Sequence, residues 1–337
     1  MKFDFFSGKD TRMTFQPLRQ NTSTQVLIIG GGLCGLLLAY ILNKNKIETL
    51  LAEKNIIASG KTRYLSGFMA KYDGPDADSM TEQQKSFSEI IHLQKQIGHH
   101  TPLTPIPLLQ LIALKNLPDS DHPQPGCTIL KNALVPSHKE LRTNGILRKN
   151  GAAVLPAVPF CSDLAEYLSV QGVLLHEGTS MQPINEHTAV TEDGKKVRAQ
   201  IIVNCTAQNT SDELFRKSFC ITEFAAQPTT RFSVIKTGKH GYAIFPNADS
   251  IFFIEPIRAV SRIGIVPTNA KRQLIADLYQ VKSHPVVRTQ ILQSGFTHQT
   301  GKDDLGIYHL TPPTENAILA TESLTRNFAK RHLLPFL

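Results

Sequence analysis

Hydrophobic positions follow three regimes along the chain, and each predicts a different kind of element. In the first, apolar residues run unbroken. Val26-Leu27-Ile28-Ile29 is short and β-branched, the make-up of a strand buried on both faces of a parallel sheet. Residues 36–42 predict a helix, with Ala39 small enough to lie close to that sheet. A polar turn at 43–46 leads to a second strand over 48–52, which ends on Glu53. Later runs at 173–175 and 201–205 predict further strands. Between them an amphipathic helix is expected over 163–170, capped by Ser162 and stopped by Gly172. Residues 188–191 and 196–198, joined by Glu192-Asp193-Gly194, predict a hairpin. In the second regime, Phe87, Ile90, Ile91, Leu93, Gln94 and Ile97 make the stripe of an amphipathic helix within 76–100. The third regime alternates. Stretches 230–235, 242–245, 251–254 and 261–266 are β-branched and aromatic, with turn signals between them, and predict an antiparallel sheet followed by a helix over 271–281. Residues 101–140, with seven prolines, predict loop and edge-strand material beside that sheet.

The chemistry sits where the first strand meets the first helix. Gly30, Gly32 and Gly35 fit the spacing G-x-G-x-x-G, with Leu33 and Cys34 inside the motif. Gly30 suits a tight turn, Gly32 would let a pyrophosphate approach the backbone, and Gly35 would let helix and strand pack closely. The helix N-terminus offers unpaired N–H groups and the positive end of a dipole. Glu53, at the tip of the second strand, can accept from a ribose hydroxyl, with Lys54 beside it. Strand, glycines, helix, second strand and acid occur in order within one βαβ-sized span, which identifies a dinucleotide site. A membrane helix is the competing reading of residues 26–42. That run is short for a span, carries three consecutive glycines and leaves Glu53 unexplained. The following Ser59-Gly60-Lys61-Thr62 invites a phosphate-loop reading, but Asn55 stands where that motif needs a glycine. These four residues instead form a polar loop beside the same pyrophosphate, with Ser59 and Thr62 as hydroxyl donors and Lys61 or Arg63 as charge.

Composition narrows the class. The 337 residues are 41% hydrophobic and 19% charged, which suits a globular protein with a large core. The formal charge of +8 is scattered, with small clusters at 139–149 and 326–331. No dense basic run supports nucleic-acid binding. Residues 1–24 form a polar arm without the apolar centre of a secretory signal. No transmembrane segment is expected. The five cysteines (34, 127, 161, 205, 220) make no C-x-x-C pair and no zinc spacing, and His99-His100 would point apart on any regular element. Buried thiols in a reducing cytoplasm and no metal site are expected.

The stretches VLIIGGGLCGLLLAYIL, LLAEK and ASGKT together resemble the N-terminus of FAD-dependent oxidoreductases of the D-amino-acid-oxidase type. That superfamily includes glycine, sarcosine and glycerol-3-phosphate oxidising flavoenzymes. The resemblance implies FAD, with Glu53 on the adenosine ribose and the loop at Ser59-Gly60 over the diphosphate. It implies an adenine contact near Val173 and closure on the cofactor at Thr206-Ala207, where the family has Thr-Gly. It implies a small-molecule substrate, an amine or amino acid, oxidised by hydride transfer to flavin N5. No catalytic residue is singled out. The fold class expected is α/β, a discontinuous Rossmann-like FAD-binding domain with an antiparallel substrate sheet. Its parts are an arm (1–24), flavin-domain segments (25–75 and 146–215), a cap segment (76–145), the substrate sheet (216–300) and a shortened flavin-domain segment (301–337). Since no glycine follows Gly306, residues 320–337 are expected to pack loosely and leave the reactive face open. An NAD(P)-dependent oxidoreductase and a degenerate, non-catalytic flavoprotein are the alternatives.

Overall fold

The computed structural model describes residues 15–65, 67–71, 77–98, 101, 103–113, 115, 117, 126–134, 142–206, 217–226, 232–236, 242–246, 250–257, 269–279, 286–294, 300–310 and 317–337. The opening apolar runs form β1 (Thr22–Ile29), α1 (Leu33–Lys44) and β2 (Thr49–Ala52). A 3-10 turn at Lys61–Tyr64 leads to β3 (Phe68–Ala70), α2 (Ala77–Ile97), β4 (Thr104–Leu111), β5 (Cys127–Leu134) and β6 (Arg142–Val154). Then come α3 (Ala157–Val170), β7 (Leu174–His176), β8 (Met181–Asn185), β9 (Thr188–Thr191) and β10 (Lys196–Asn204). Strands β11 (Lys217–Ala225), β12 (Ser233–Lys236), β13 (Tyr242–Pro246) and β14 (Ser250–Ile257) precede α4 (Asn269–Tyr279). The chain closes with β15 (Val286–Ser294), β16 (Thr300–Lys302), β17 (Tyr308–Leu310), α5 (Ala317–Phe328) and a π-helical turn at Ala329–Leu333.

Two sheets organise these elements. The first has the order β16-β17-β10-β1-β2-β7, with the β8–β9 hairpin paired to β10. Its five strands from β17 to β7 run parallel. Alternation along them divides the side chains between two cores, as a sheet covered on both faces requires. Val26, Ile28, Leu51, Val203 and Leu310 pack under α1, α2, α3 and α5. Leu27, Ile29, Leu50, Ala52 and Ile202 pack on the other face, with Leu18, Met181 and Ala189. The second sheet has the order β15-β11-β14-β13-β12-β4-β6-β3, with β5 beside β6. Helix α4 covers one face through Ile275, Leu278 and Tyr279. On the other face Phe68, Phe245 and Phe252 stack in series, at centroid distances of 4.8 and 5.1 Å.

Four expectations need correction. Helix α3 starts at Ala157 directly after Pro156, not at a Ser162 cap. Pro159 then falls in the first turn, where a missing N–H costs nothing, and Phe160, Cys161, Leu164, Ala165 and Leu168 line up as its buried side. The stretches 196–198 and 201–205 are one strand, β10. Strand β4 is not an edge, because β12 pairs with it in parallel and β6 in antiparallel. Its register shifts between Ile106 and Leu108, so Pro107 lies at an irregularity where the missing N–H leaves no ladder bond broken. Finally, the stretch expected to be loose is well packed as far as Leu333. Ile318, Leu319, Phe328, Ala329 and Leu333 are buried in the core shared with α1. Arg326 in that helix is held by Glu322 (Nε to Oε1, 2.9 Å) and by Glu82 of α2 (2.9 Å). The strand expected at 261–266 lies outside the described residues.

Candidate functional site

The parallel strands end side by side at Leu310, Asn204, Ile29, Ala52 and His176. From β1 the chain crosses by α1 to β2 on one side, while β10 lies on the other. The order therefore reverses at β1, and the crevice beyond the carboxyl ends at such a reversal is where open α/β sheets bind ligands.

The glycine turn fills that crevice. Gly30 adopts φ +112°, and a side chain there would press on the backbone of Cys205 and Thr206 at 3.1 Å. Gly35 faces back across the turn: a Cβ on it would lie 2.0 Å from the Gly30 carbonyl oxygen. This is the close helix-to-strand approach that the third glycine exists to permit. At Gly32, among the described residues, the only near neighbour of an added Cβ is Thr62 Oγ1, at 3.0 Å. The Thr62 hydroxyl accepts the Leu33 N–H at 3.0 Å, and its own hydrogen remains to donate. Helix α1 has no side-chain cap, and the amides of Cys34 and Gly35 meet no acceptor among the described residues. Backbone donors, a dipole end and a hydroxyl thus converge on one small volume.

Glu53 stands at the end of β2. Its Oε2 accepts the Gly31 N–H at 2.7 Å and its Oε1 accepts the Asn55 N–H at 2.9 Å. An ionised carboxylate has about four acceptor positions. Among the described residues two remain without a partner, the number a ribose diol needs. Behind Glu53 the loop is anchored to the segment after β7, by Glu53 N to His176 O and Thr179 N to Glu53 O, both 2.8 Å.

A sequence model of the FAD dependent oxidoreductase family, DAO, matches residues 25–271. The chain belongs to this family. It is an FAD-dependent oxidoreductase with the family's fold. Glycine oxidase from Bacillus cereus ATCC 14579 is similar in structure at TM-score 0.62 and 14% identity, covering 91% of this chain and 94% of that one. L-proline dehydrogenase from P. horikoshii aligns at TM-score 0.66 and 16% identity, over 93% of each chain. L-amino acid deaminase from Proteus vulgaris, lacking its specific insertion, aligns at 0.66 and 15%, over 96% and 94%. No curated protein matches the chain by sequence.

Within this DAO-family chain the expected site residues separate into groups. Gly30, Gly32, Leu33, Gly35, Glu53, Thr62 and Thr206 come together at the crevice. Thr206 is fixed by Asn204, whose Oδ1 accepts its N–H at 2.9 Å and its hydroxyl at 2.5 Å. Cys34 contributes backbone only. Its thiol is buried against Leu310 O and Thr325 Oγ1, both at 3.7 Å. Hydrogen bonding to Cys34, together with burial, pushes the neighbouring Cys205 thiol well above the ordinary range, so the Cys205 sulfur is inert. The Ser59 hydroxyl donates to Ile56 O at 2.6 Å and shapes the loop. Among the described residues nothing lies where a Gly60 Cβ would go, and Lys54 is exposed. Lys61 lies in the 3-10 turn.

Val173 lies elsewhere. It precedes β7, buried in the core, with its N–H on Leu168 O at 3.0 Å. Three residues of strand, roughly 10 Å, separate it from the carboxyl edge. Ala207 lies outside the described residues. Sequence reasoning passes over Asn204, Glu177 and Thr179, which hold the crevice from behind. The one available signal was a run of polar residues directly after short apolar strands. Among the described residues, no cluster of three His, Cys, Asp or Glu could hold a metal, and no helix is long and apolar enough to cross a membrane.

Proposed function

We propose that the crevice holds the FAD diphosphate and adenosine ribose, and that the enzyme oxidises an amine or amino acid at its C–N carbon. The observation that carries the site is the convergence of three unspent groups. These are the free first-turn amides of α1 behind Gly32, the Thr62 hydroxyl and the two open acceptor positions of Glu53. Gly30, Gly32, Leu33, Cys34 through its backbone, Gly35, Glu53, Thr62 and Thr206 would hold the cofactor, with Ser59 and Gly60 shaping the loop over it. When bound, the flavin accepts the two electrons of the substrate C–H bond. The chain's own residues bind and orient: first-turn amides neutralise phosphate charge, and Glu53 fixes the ribose. The substrate class is supported by the glycine oxidase, proline dehydrogenase and amino acid deaminase that share the fold. The second sheet, whose buried aromatic face begins at β3 just after the cofactor loop, is the proposed substrate side.

The test is to purify the protein, record its absorbance, identify the acid-released cofactor and measure anaerobic bleaching by amino acids and secondary amines. Bound FAD reduced by at least one such compound is expected. Firmly bound FAD that no amine or amino acid reduces would overturn the substrate class.

A further inference from the structure

Behind the crevice lies a carboxyl group that the proposed chemistry does not use. Glu177 follows β7 and is 1% exposed. Its Oε1 accepts the Ile57 N–H at 2.7 Å, and its Oε2 accepts the Phe15 N–H at 3.0 Å. One side chain therefore ties together the loop after β2 and the segment that leads into β1. The tie is reinforced on both sides. Gly178 N–H donates to Asn55 O at 2.9 Å. The Thr179 hydroxyl accepts the Leu18 N–H at 3.1 Å and donates to Glu177 O at 3.0 Å. His176 Nδ1 lies 2.9 Å from Gln16 O. From Ile57 the path continues, because the next amide, Ala58 N–H, donates to Gly31 O at 3.0 Å and Gly31 N–H returns to Glu53. Phe15, Glu177, Ile57, Ala58 and Gly31 thus form one unbroken chain of contacts ending in the turn that receives the pyrophosphate.

We propose that Glu177 is a positioning residue for the cofactor, holding loop 55–62 against the glycine turn and coupling segment 15–18 to FAD binding. The inference rests on the cofactor site proposed above. A group this buried has no water to replace a lost partner, so each amide it holds would be left unsatisfied without it. Coupling of this kind is reciprocal: if the segment tightens the loop around FAD, FAD must tighten the segment.

Glu177→Gln preserves the shape, but its amide NH₂ must face one of the two backbone N–H groups, so one contact is lost. The FAD dissociation constant is expected to rise roughly tenfold or more, the loss of one hydrogen bond to a charged group. Tyr279→Phe is the matched control, losing one buried hydrogen bond from α4 to Phe232 O, just before β12 of the other sheet. It should lower the melting temperature and leave FAD affinity unchanged. In the wild-type protein, FAD saturation should slow hydrogen exchange at Phe15 and Leu18 together with Ile57, a readout that stands even if the Gln variant fails to fold. Wild-type affinity in Glu177→Gln, equal weakening by Tyr279→Phe, or unchanged exchange at Phe15 and Leu18 would each overturn the proposal. Failure of the site itself would show separately, as equal FAD affinity in wild type and Glu53→Gln.

Discussion

Adding one methyl group at Gly35 tests the geometry of the whole site. A Cβ there would sit 2.0 Å from the Gly30 carbonyl oxygen, with Gly30 C and Ile28 Cγ2 at 3.3 Å. Carbon and carbonyl oxygen approach no closer than about 3.3 Å, so the methyl is about 1.3 Å too near. The obstacle is backbone, which cannot rotate away. Either α1 lifts from β1 or the turn unwinds. Lifting opens a gap under Leu36 and Ala39, both fully buried, and a gap of 0.5–1 Å already forfeits about a quarter to a half of each dispersion contact. Overpacking in an ordinary core costs about 1–3 kcal/mol, and a rigid obstacle places this case near the upper end. Alanine returns about 1 kcal/mol as the better helix former. The expected net loss is thus about 2 kcal/mol, with FAD affinity falling as the turn deforms. Gly60→Ala is the internal comparison: among the described residues nothing lies within 4 Å of its Cβ. That change introduces no clash with neighbouring backbone and should lower stability less than Gly35→Ala does. Urea unfolding of the apo-protein and FAD titration measure both effects. A Gly35→Ala variant with wild-type midpoint and wild-type FAD affinity would refute the close approach, and with it the reason for reading the third glycine as functional.

Three further outcomes follow from the same geometry. Glu53→Gln should weaken FAD binding about tenfold or more, because a charge-assisted hydrogen bond is worth ~1.5–3 kcal/mol; flavin fluorescence titration reads it. Tyr279 is fully buried, which raises its phenol well above the ordinary value of 10.0. The folded chain therefore holds that proton more tightly than the unfolded one, so this group's contribution to stability is complete below pH 10 and falls as pH rises beyond it. Tyr279→Phe should flatten that alkaline loss in melting curves, leaving the part due to the raised thiols of Cys161 and Cys205. Truncation after residue 316 removes Ile318, Leu319, Phe328 and Leu333 from the core and is expected to abolish cooperative unfolding, as seen by calorimetry.

What could be read in advance divides by the range over which each requirement acts. The glycine turn, α1 and Glu53 are legible because every demand on them comes from residues within one βαβ unit. Gly35 must pass Gly30, and Glu53 must reach Gly31. The tail is different. The helix over Ala317–Phe328 buries Thr321, Glu322, Thr325 and Arg326 alongside its apolar residues. That stripe looks polar and loose until Glu82, far away on α2, arrives to complete the Arg326 pair. The same holds for β4, whose prolines read as edge material because the parallel partner β12 lies more than a hundred residues further along. Glu177 is the extreme case. A glutamate after a three-residue strand carries no motif, and its meaning depends on two backbone amides, at 15 and 57, whose identity no side chain encodes. Local chemistry identifies a dinucleotide site from sequence, whereas the parts that hold the site rigid are long-range and backbone-mediated. Those are the positions where substitutions remote from the flavin should change its affinity.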